Sequence, residues 1–273
     1  MLLSYHRGLI FIATSIFLVG CGGSSSDVNS VDWYKPNRDI SWQWQLQGDI
    51  NTSYDVELYD IDLFDSNKSL IKKLKDDGKK VICYFSAGSY EDWREDRDRF
   101  PITLLGNDMN GWRGEKWLDI SNKALYPIMK ARLDLAVEKG CDGVEPDNVA
   151  GYKNNTGFNL SADEQLSYNK FIANEAHKRG LSVGLKNDLE QIVKLEPYFD
   201  FSLNEQCHEE NECKKLQPFI DANKPVLNVE YAQRYVDNNN SERDIMCVDS
   251  IEMKFQTLIL PLELDDSFRY SCN

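Results

Sequence analysis

Residues 139–148 read Lys-Gly-Cys-Asp-Gly-Val-Glu-Pro-Asp-Asn. The lysine and glycine are typical of a helix end, and the residues after them predict a short strand that carries acids to its C-terminal tip. Side chains alternate along a strand, so Glu145 and Asp147 lie on one face, with Asp147 nearer the tip. A second predicted strand, residues 199–205, also ends on an acid, Glu205. Acidic side chains that face the same protein interior repel each other, so they contribute little to the stability of the fold. Asp147 and Glu205 are therefore candidates for catalysis.

Short apolar runs alternate with amphipathic helical stretches along the rest of the chain. Eight runs are strand candidates: residues 42–47, 56–64 and 80–87, the run that ends at Asp147, and residues 181–187, 199–205, 225–231 and 257–264. This order predicts a single α/β domain, a (β/α)8 TIM-type barrel over residues 33–273. A doubly wound open sheet is the alternative. It would usually place a Gly-rich phosphate loop after the first strand, and residues 47–50 are not such a loop.

Helix signals lie between these runs. Asp65 and Ser66 offer a cap for a helix that stops at Gly78, and Ser121 opens a helix that ends at Gly140. Residues 161–164, Ser-Ala-Asp-Glu, form a predicted capping box for a helix that reaches Gly180. Residues 90–117 form a long polar excursion rich in Trp, Arg and Asp.

The N-terminus indicates export. Residues 1–20 combine a basic start with an apolar run that is too short to span a bilayer, and they end in Leu-Val-Gly before Cys21. This pattern resembles a bacterial lipobox, so we expect a lipoprotein signal peptide, a lipidated Cys21 and a flexible tether over residues 21–32. An ordinary secretory signal with a coincidental cysteine is the alternative. The expected location is the bacterial cell envelope, lipid-anchored and extracytoplasmic, at the outer membrane or cell surface.

The charge is strongly acidic. The chain has 31 Lys and Arg against 45 Asp and Glu, a net charge of −14. Removing residues 1–20 takes away Arg7 and no acid, so the count becomes 30 against 45, or −15. This excess of acids argues against nucleic acid as a binding partner and favours a cationic ligand, although a need for solubility would also explain it. We expect contact with a membrane through the lipid anchor only. We expect a monomer.

Six cysteines remain after Cys21, which fits an oxidising compartment. Two pairings suggest themselves, Cys207 with Cys213 and Cys247 with Cys272, among the fifteen that six cysteines allow. Cys83 lies inside an apolar strand and is interpreted as a buried free thiol.

The strand tips of a parallel barrel meet at one mouth, and these tips are polar. Cleavage of a glycosidic bond needs one carboxylic acid and one carboxylate, and Asp147 and Glu205 can supply them. Lys186 on a neighbouring tip is the expected partner that keeps one carboxylate ionised. The expected substrate-binding residues are the remaining polar and aromatic side chains at these tips: Trp42, Asp60, Tyr84, Glu145, Asn148, Lys186, Glu230 and Tyr231.

Other interpretations of these residues stay open. Asp60 and Asp62 are equally suited to structural ion pairs, Asp188 to a helix cap, and Trp42 and Trp44 to the core. After residue 20 the chain has two histidines, His177 and His208, which makes a catalytic triad or a multi-histidine metal site improbable. We therefore expect neither a metal nor a cofactor.

Six motifs occur in order: Trp-Gln-Trp-Gln-Leu at 42–46, Tyr-Asp-Ile-Asp at 59–62, Val-Ile-Cys-Tyr-Phe-Ser-Ala-Gly at 81–88, Trp-Leu-Asp-Ile at 117–120, Asp-Gly-Val-Glu-Pro-Asp-Asn at 142–148 and Asn-Glu-Gln-Cys at 204–207. Together they resemble glycoside hydrolase family 114, the endo-α-1,4-polygalactosaminidases, over residues 33–264. The resemblance implies a TIM-type barrel, hydrolysis of α-1,4-linked galactosamine polymers as found in biofilm exopolysaccharide, and an acidic pair at Asp147 and Glu205. Pro146 departs from the expected apolar residue and removes one ladder donor.

The resulting hypothesis is a glycoside hydrolase in which Asp147 is nucleophile or base and Glu205 is general acid/base. A non-catalytic saccharide-binding lipoprotein and a glycosidase of a partly acetylated amino-sugar polymer are the alternatives. The sequence leaves open retention or inversion, endo or exo action, and the division of roles within the pair.

Overall fold

A computed structural model describes residues 32–273. The expected signal peptide, Cys21 and nearly all of the expected tether lie outside the described residues. The twelve strands are β1 (Trp42–Gln45), β2 (Leu58–Asp62), β3 (Lys80–Ser86), β4 (Ser89–Glu91), β5 (Leu105–Asp108), β6 (Glu115–Leu118), β7 (Gly143–Asp147), β8 (Ser182–Lys186), β9 (Phe201–Glu205), β10 (Val226–Glu230), β11 (Gln256–Ile259) and β12 (Tyr270–Ser271). The seven α-helices are α1 (Lys68–Asp76), α2 (Tyr126–Lys139), α3 (Ala162–His177), α4 (Ile192–Leu195), α5 (Gln217–Asp221), α6 (Gln233–Asp237) and α7 (Glu242–Glu252).

The main sheet is mixed α/β with strand order β1-β2-β3-β7-β8-β9-β10-β11-β12. Every neighbouring pair from β1 to β11 is parallel, and β12 runs antiparallel to β11. All eight predicted strands are therefore confirmed, in sequence order within one sheet. Within residues 32–273 no strand ladder joins β1 to β11, although the Trp42 indole donates to the Gln256 carbonyl across that gap.

Two apolar layers show that the sheet curls. Trp42, Trp44, Leu58, Phe201 and Leu227 come from strands spread across the whole sheet, and they pack together on its inner side. The opposite side packs on the helices in a second cluster, whose members include Val81, Phe85, Val144, Leu133 and Ile172. A flat sheet could not bring β1 and β10 into one cluster, so the inner face is concave.

The polar excursion contains a second sheet that the sequence did not predict. β4, β6 and β5 pair antiparallel in that order, directly after the tip of β3. Arg94 connects this segment to the main sheet, since its guanidinium donates hydrogen bonds to Asp62 on β2 and Glu91 on β4. A buried ion pair of this kind fixes the small sheet beside the strand tips.

Two predicted helix starts were wrong, and one was confirmed. Asn67 caps α1, because Asp62 accepts the amides of Phe64 and Asp65 and holds the chain in a turn until that point. The second helix begins at Tyr126 rather than at Ser121. The capping box of Ser161 and Glu164 forms as predicted.

Three disulfides link Cys83 with Cys141, Cys207 with Cys213, and Cys247 with Cys272. The latter two pairings are confirmed. The interpretation of Cys83 as a free thiol was wrong, because parallel pairing of β3 with β7 brings Cys141 next to it. These disulfides indicate an oxidising, extracytoplasmic environment. Among the described helices, none combines the length and the apolar character that crossing a membrane requires.

Candidate active site

A cavity of about 270 Å³ opens where the C-terminal tips of the parallel strands meet. Six of its lining residues come from those tips: Trp44, Tyr84, Asp147, Lys186, Glu205 and Tyr231. Parallel strands deliver their carboxyl ends to the same edge of a sheet, which is why residues far apart in the chain gather here. The predicted pair, Asp147 and Glu205, shares this cavity.

Lys186 lies at the centre of the acidic group. Its Nζ is 3.0 Å from Glu145 Oε1, 3.2 Å from Asp147 Oδ1 and 3.3 Å from Glu205 Oε2. The same nitrogen lies 4.7 Å from the ring centre of Trp44, a cation–π distance. Burial disfavours the charged ammonium, but Asp147, Glu145 and Glu205 outweigh it and hold the pKa of Lys186 well above its usual range. One cation therefore joins three carboxylates.

Asp147 is held from several sides. Tyr84 Oη donates to Oδ2 at 3.2 Å, and the amide of Asn148 donates to Oδ1 at 2.6 Å. Asn148 has a positive φ of 61° and passes directly against Gly88, where an added Cβ would lie 1.8 Å from the Asn148 carbonyl oxygen. Gly88 is required there because no side chain fits between the tips of β3 and β7.

Both carboxylate oxygens of Glu205 also accept hydrogen bonds. Tyr231 Oη donates to Oε1 at 2.6 Å, and Asn187 Nδ2 donates to Oε2 at 3.0 Å. Burial would raise the pKa of Glu205, but Lys186, Tyr231 and Asn187 together hold it below its usual value. Asn187 was not among the predicted site residues, although its place directly after Lys186 at a strand tip was the available signal.

Asp60 and Glu145 form a buried carboxyl pair beneath the cavity. Both are 0% exposed, and Asp60 Oδ1, Asp60 Oδ2 and Glu145 Oε2 receive no hydrogen bond from any other described group. Burial raises the pKa of Asp60 to about 8 and holds that of Glu145 well above its usual range, against the opposing effect of Lys186. Two ionised carboxylates have no donor between them, so the raised pKa values favour one proton held within the pair. Glu145 supports Lys186 from below, and neither acid lines the cavity.

Two further predicted substrate-binding residues, Trp42 and Glu230, also lie outside the cavity. Trp42 and Trp44 are both buried in the inner core, but Trp44 lies one inward position nearer the strand tip and lines the cavity. Glu230 points to the opposite face from Tyr231, where its carboxylate accepts the amides of His208 and Glu209. Strand alternation explains the position of Glu230, and depth along β1 explains that of Trp42. Glu230 instead orders the loop that follows Glu205.

The structure shows the contacts of two further acids, Asp62 and Asp188. Asp62 belongs to a structural ion pair with Arg94, at 2.6 Å. Asp188 is not a helix cap, since its carboxylate accepts hydrogen bonds from Tyr152 and Asn169.

The small antiparallel sheet and the connection between β5 and β6 supply another wall of the cavity with Met109, Trp112, Glu115 and Trp117. Sequence reasoning missed these residues. The signal was present in the Trp-rich composition of the excursion, but it did not show that the segment folds back over the mouth.

Comparison with known proteins gives two findings at the level of the whole domain. The model of the family described as "Glycoside-hydrolase family GH114" matches residues 23–273. The chain belongs to this family. The GH114 assignment makes the protein a glycoside hydrolase and confirms the resemblance seen in its motifs. No curated protein matches the chain.

Solved structures agree with the GH114 assignment. Ega3 from Aspergillus fumigatus, in complex with galactosamine, is 42% identical, with 88% of this chain and 98% of that chain covered and a TM-score of 0.83. The glycoside hydrolase domain of PelA from Pseudomonas aeruginosa is 11% identical, with 83% and 96% covered and a TM-score of 0.66. The second likeness supports the fold alone.

One group of described residues has metal-ligand spacing, namely Cys207, His208 and Cys213. The two cysteines are joined as a disulfide, so they have no thiolate to offer. This group is not suited to hold a metal ion.

Proposed function

We propose that the protein hydrolyses α-1,4-linked galactosamine-containing exopolysaccharide, with Asp147 and Glu205 as the catalytic carboxylates. The observation that carries the proposal is the common contact of both side chains with Lys186 in one open cavity. Two acids from different strands meet the demand of glycosidic cleavage for one proton donor and one carboxylate. The galactosamine complex of the 42% identical Ega3 supports the substrate class.

The geometry favours retention of anomeric configuration. Asp147 Oδ1 and Glu205 Oε2 contact one nitrogen at 3.2 and 3.3 Å, so these two oxygen atoms are at most about 6.5 Å apart, which is the shortest separation typical of inverting enzymes. Retaining enzymes have carboxyl groups about 5–5.5 Å apart, whereas inverting enzymes need about 6.5–9.5 Å. We therefore propose a covalent glycosyl-enzyme intermediate, which proton NMR of the first-formed product anomer tests.

Within the pair, we propose Asp147 as nucleophile and Glu205 as general acid/base. The contacts of Glu205 in the ligand-free protein favour its ionised form, which opposes proton donation. A sugar that takes over the hydrogen bond of Tyr231 or Asn187 would raise the pKa of Glu205 toward the value this role requires. A substrate with an activated leaving group separates the roles, because it needs no general acid. The Glu205 variant then keeps the first step, and the Asp147 variant does not.

The main test is turnover of a purified α-1,4-galactosamine polymer, followed by mass spectrometry of the products. Asp147→Asn and Glu205→Gln are each expected to lower turnover about 10²- to 10⁴-fold. Glu190→Gln is the matched control, since Glu190 is exposed and pairs with Lys153 and Lys215 outside the cavity. A range of internal fragments supports endo action. Binding without products would instead identify a saccharide-binding protein, and products from acetylated polymer alone would identify a different amino-sugar glycosidase.

We also propose that the eight parallel strands close into a TIM-type barrel, with β12 on the free edge of β11 at the seam with β1. The Trp42–Gln256 hydrogen bond and the inner core shared by β1 and β11 support this. Hydrogen exchange tests it, because closure protects the β1 amides to the level of the central strands.

For the N-terminus, we propose a lipoprotein signal at residues 1–20, a lipidated Cys21 and a tether over residues 21–32, with the domain at 33–273. The family match begins at residue 23, which supports a boundary near this point. Fatty-acid labelling of the bacterial protein, lost in Cys21→Ala, tests the anchor and the cell-envelope location. Sedimentation of the detergent-solubilised protein tests the expected monomer.

A further inference from the structure

We propose that Asn169 is a positioning residue, because its side-chain amide joins the segments that follow β7 and β8 and so holds Asn187 in contact with Glu205. This inference rests on the proposed function, since it gives a residue outside the cavity a part in the same reaction. Asn169 lies in the middle of α3, is 0% exposed and does not line the cavity. Any effect of Asn169 on catalysis must therefore pass through other residues.

The segment after β8 has a left-handed backbone that places Asn187 against β9. Asn187 and Asp188 have positive φ values of 50° and 48°. Asn and Asp tolerate this conformation better than most residues, but two such residues in succession need support from their surroundings. In this conformation Asn187 Oδ1 accepts the backbone amide of Glu205 at 3.0 Å, and Asn187 Nδ2 donates to Glu205 Oε2 at 3.0 Å. One side chain thus fixes both the backbone and the carboxylate of Glu205.

The Asn169 amide bridges two strand ends. Its Nδ2 donates to Asp188 Oδ2 at 3.0 Å and to the Val149 carbonyl at 3.0 Å. Asp188 directly follows Asn187 in the left-handed segment. Val149 lies two residues after Asp147, so one amide nitrogen connects the end of β7 to the end of β8. Asn169 therefore supplies the support that the backbone of Asn187 needs.

The buried face of α3 that carries Asn169 is polar. Gln165 and Asn169 lie one turn apart, both are 0% exposed, and Gln165 Nε2 donates to Asn169 Oδ1 at 2.8 Å. Tyr168, also 0% exposed, donates to the carbonyl of Ala87, directly after β3, at 2.6 Å. Polar groups are costly to bury, and apolar side chains of similar size would fill the same space. Through this face α3 bonds the ends of β3, β7 and β8, which indicates that it serves the geometry of the strand tips.

A second donor to Asp188 differs from Asn169 in its exposure. Tyr152 Oη donates to Asp188 Oδ1 at 3.2 Å from a half-buried position, so water can replace it. Asn169 is fully buried, and Asp188 Oδ2 has no other donor among the described residues. The contact with Asn169, and not that with Tyr152, is therefore the one that fixes Asp188.

The test is a double-mutant cycle between Asn169→Leu and Asn187→Gly. Asn187→Gly removes the amide that contacts Glu205 and keeps a residue suited to positive φ. We expect each single variant to lower kcat on a galactosamine polymer about tenfold with KM within about twofold. The double variant is expected to match Asn187→Gly within about twofold, because Asn169 acts through Asn187. Losses that multiply in the double variant would overturn the proposal, as would an unchanged kcat in Asn169→Leu.

The pH dependence of kcat gives a readout that a loss of stability alone does not move. Burial raises the pKa of Glu205, and the Asn187 amide is among the donors that hold it below its usual value instead. Asn169→Leu and Asn187→Gly should therefore both move the limb assigned to Glu205 to higher pH, by about 0.5–1 unit. A limb that moves in Asn187→Gly and stays in place in Asn169→Leu would show that Asn169 has only a structural role.

Two variants serve as controls. Ser250→Ala removes a buried hydrogen bond between α7 and Thr257 on β11, away from the cavity, so it should cost stability and leave kcat and the pH profile unchanged. Tyr152→Phe removes the half-buried donor to Asp188 and should also leave both unchanged.

A milder variant keeps the test decisive if urea unfolding shows that Asn169→Leu does not fold. Gln165→Met removes only the hydrogen bond that orients the Asn169 amide. It should lower kcat and move the limb assigned to Glu205 in the same directions as Asn169→Leu, by smaller amounts. An unchanged kcat together with an unchanged limb in Gln165→Met would then reject the positioning role.

An NMR titration of the ligand-free protein separates this inference from the proposed function. The carboxyl carbon of Glu205, assigned by its absence in Glu205→Gln, reports the pKa of Glu205 without any polymer. A wild-type protein that cleaves no galactosamine polymer would refute the proposed function, whereas a higher pKa of Glu205 in Asn169→Leu would still support the bridge. An equal pKa in Asn169→Leu and wild type would overturn the role of Asn169 even in an active enzyme.

Discussion

The ammonium of Lys186 lies 3.2 Å from Asp147 Oδ1, although Lys186 is 3% exposed and Asp147 lies at the cavity surface. The same nitrogen reaches Glu145 below and Glu205 opposite. A single buried cation thus sets the charge balance for every acid in the centre of the site. Variants of Lys186 and its neighbours are expected to change stability and pH dependence together.

Lys186→Met is expected to lower the free energy of unfolding by about 3–5 kcal/mol, because it leaves Glu145 buried without its cation. Lys72→Met is the control, since the Lys72–Asp76 pair is exposed and should contribute less than about 1 kcal/mol. Urea unfolding at pH 7 measures both. A Lys186 loss no larger than the Lys72 loss would show that the buried network does not depend on its cation.

Tyr231→Phe is expected to shift one limb of the pH–rate profile to higher pH by about one unit. The phenol of Tyr231 donates a 2.6 Å hydrogen bond to Glu205 and helps to lower its pKa, so its removal raises that pKa. With Glu205 as the general acid, the alkaline limb moves, and a shift of the acid limb would exchange the roles of the two carboxylates. Tyr152→Phe serves as the control because Tyr152 bonds Asp188 instead. A profile identical to wild type in both limbs would contradict the coupling.

Asp60→Asn is expected to become more stable relative to wild type as pH rises from 5 to 8. The folded-state pKa of Asp60 is raised from 3.8 to about 8, so its stabilising contribution is present below about pH 4 and is lost as pH rises toward 8. Asparagine does not titrate, and its amide can donate to Glu145. The difference should change by on the order of 1 kcal/mol or more, since each pKa unit corresponds to about 1.4 kcal/mol.

Urea unfolding at pH 5, 6.5 and 8 measures this difference. Asp39→Asn is the control, because Asp39 is exposed and, within residues 32–273, pairs only with Arg38. If the stability curves of Asp60→Asn and wild type ran parallel, Asp60 would be ionised throughout and the shared proton would be ruled out.

Salt is expected to raise KM for a galactosamine polymer several-fold between low ionic strength and 0.5 M, with kcat nearly unchanged. The protein carries a net charge of −14 and its cavity is lined by carboxylates, so a cationic polymer is attracted over long range and screening weakens that attraction. Steady-state kinetics on deacetylated and acetylated polymer measures the effect. Equal salt dependence on both polymers would mean that charge does not select the substrate.

Local patterns predicted much of this fold. Alternating and apolar runs located all eight parallel strands, and the Ser161–Glu164 capping box located the start of α3. The antiparallel sheet escaped prediction because its strands are short, polar and partly exposed, so they lack a clear alternating pattern. Local patterns also could not distinguish Trp42 from Trp44, since alternation puts both side chains on the same face of β1. Their depth along the strand decides that Trp42 lies in the core and Trp44 lines the cavity.

The sequence by itself determined the acids at the strand tips, the lysine between them and the family to which they belong, because these depend on residue type and on a period of two along each strand. The tertiary structure decided which of these groups meet. Pairing of β7, β8 and β9 brings the carboxylates of Asp147 and Glu205 to the ammonium nitrogen of Lys186. Pairing of β3 with β7 brings Cys83 next to Cys141, and the small antiparallel sheet places Glu115 at the cavity. Distances between residues remote in the chain follow from strand register and sheet curvature, which are set by packing of the whole domain and not by any local stretch.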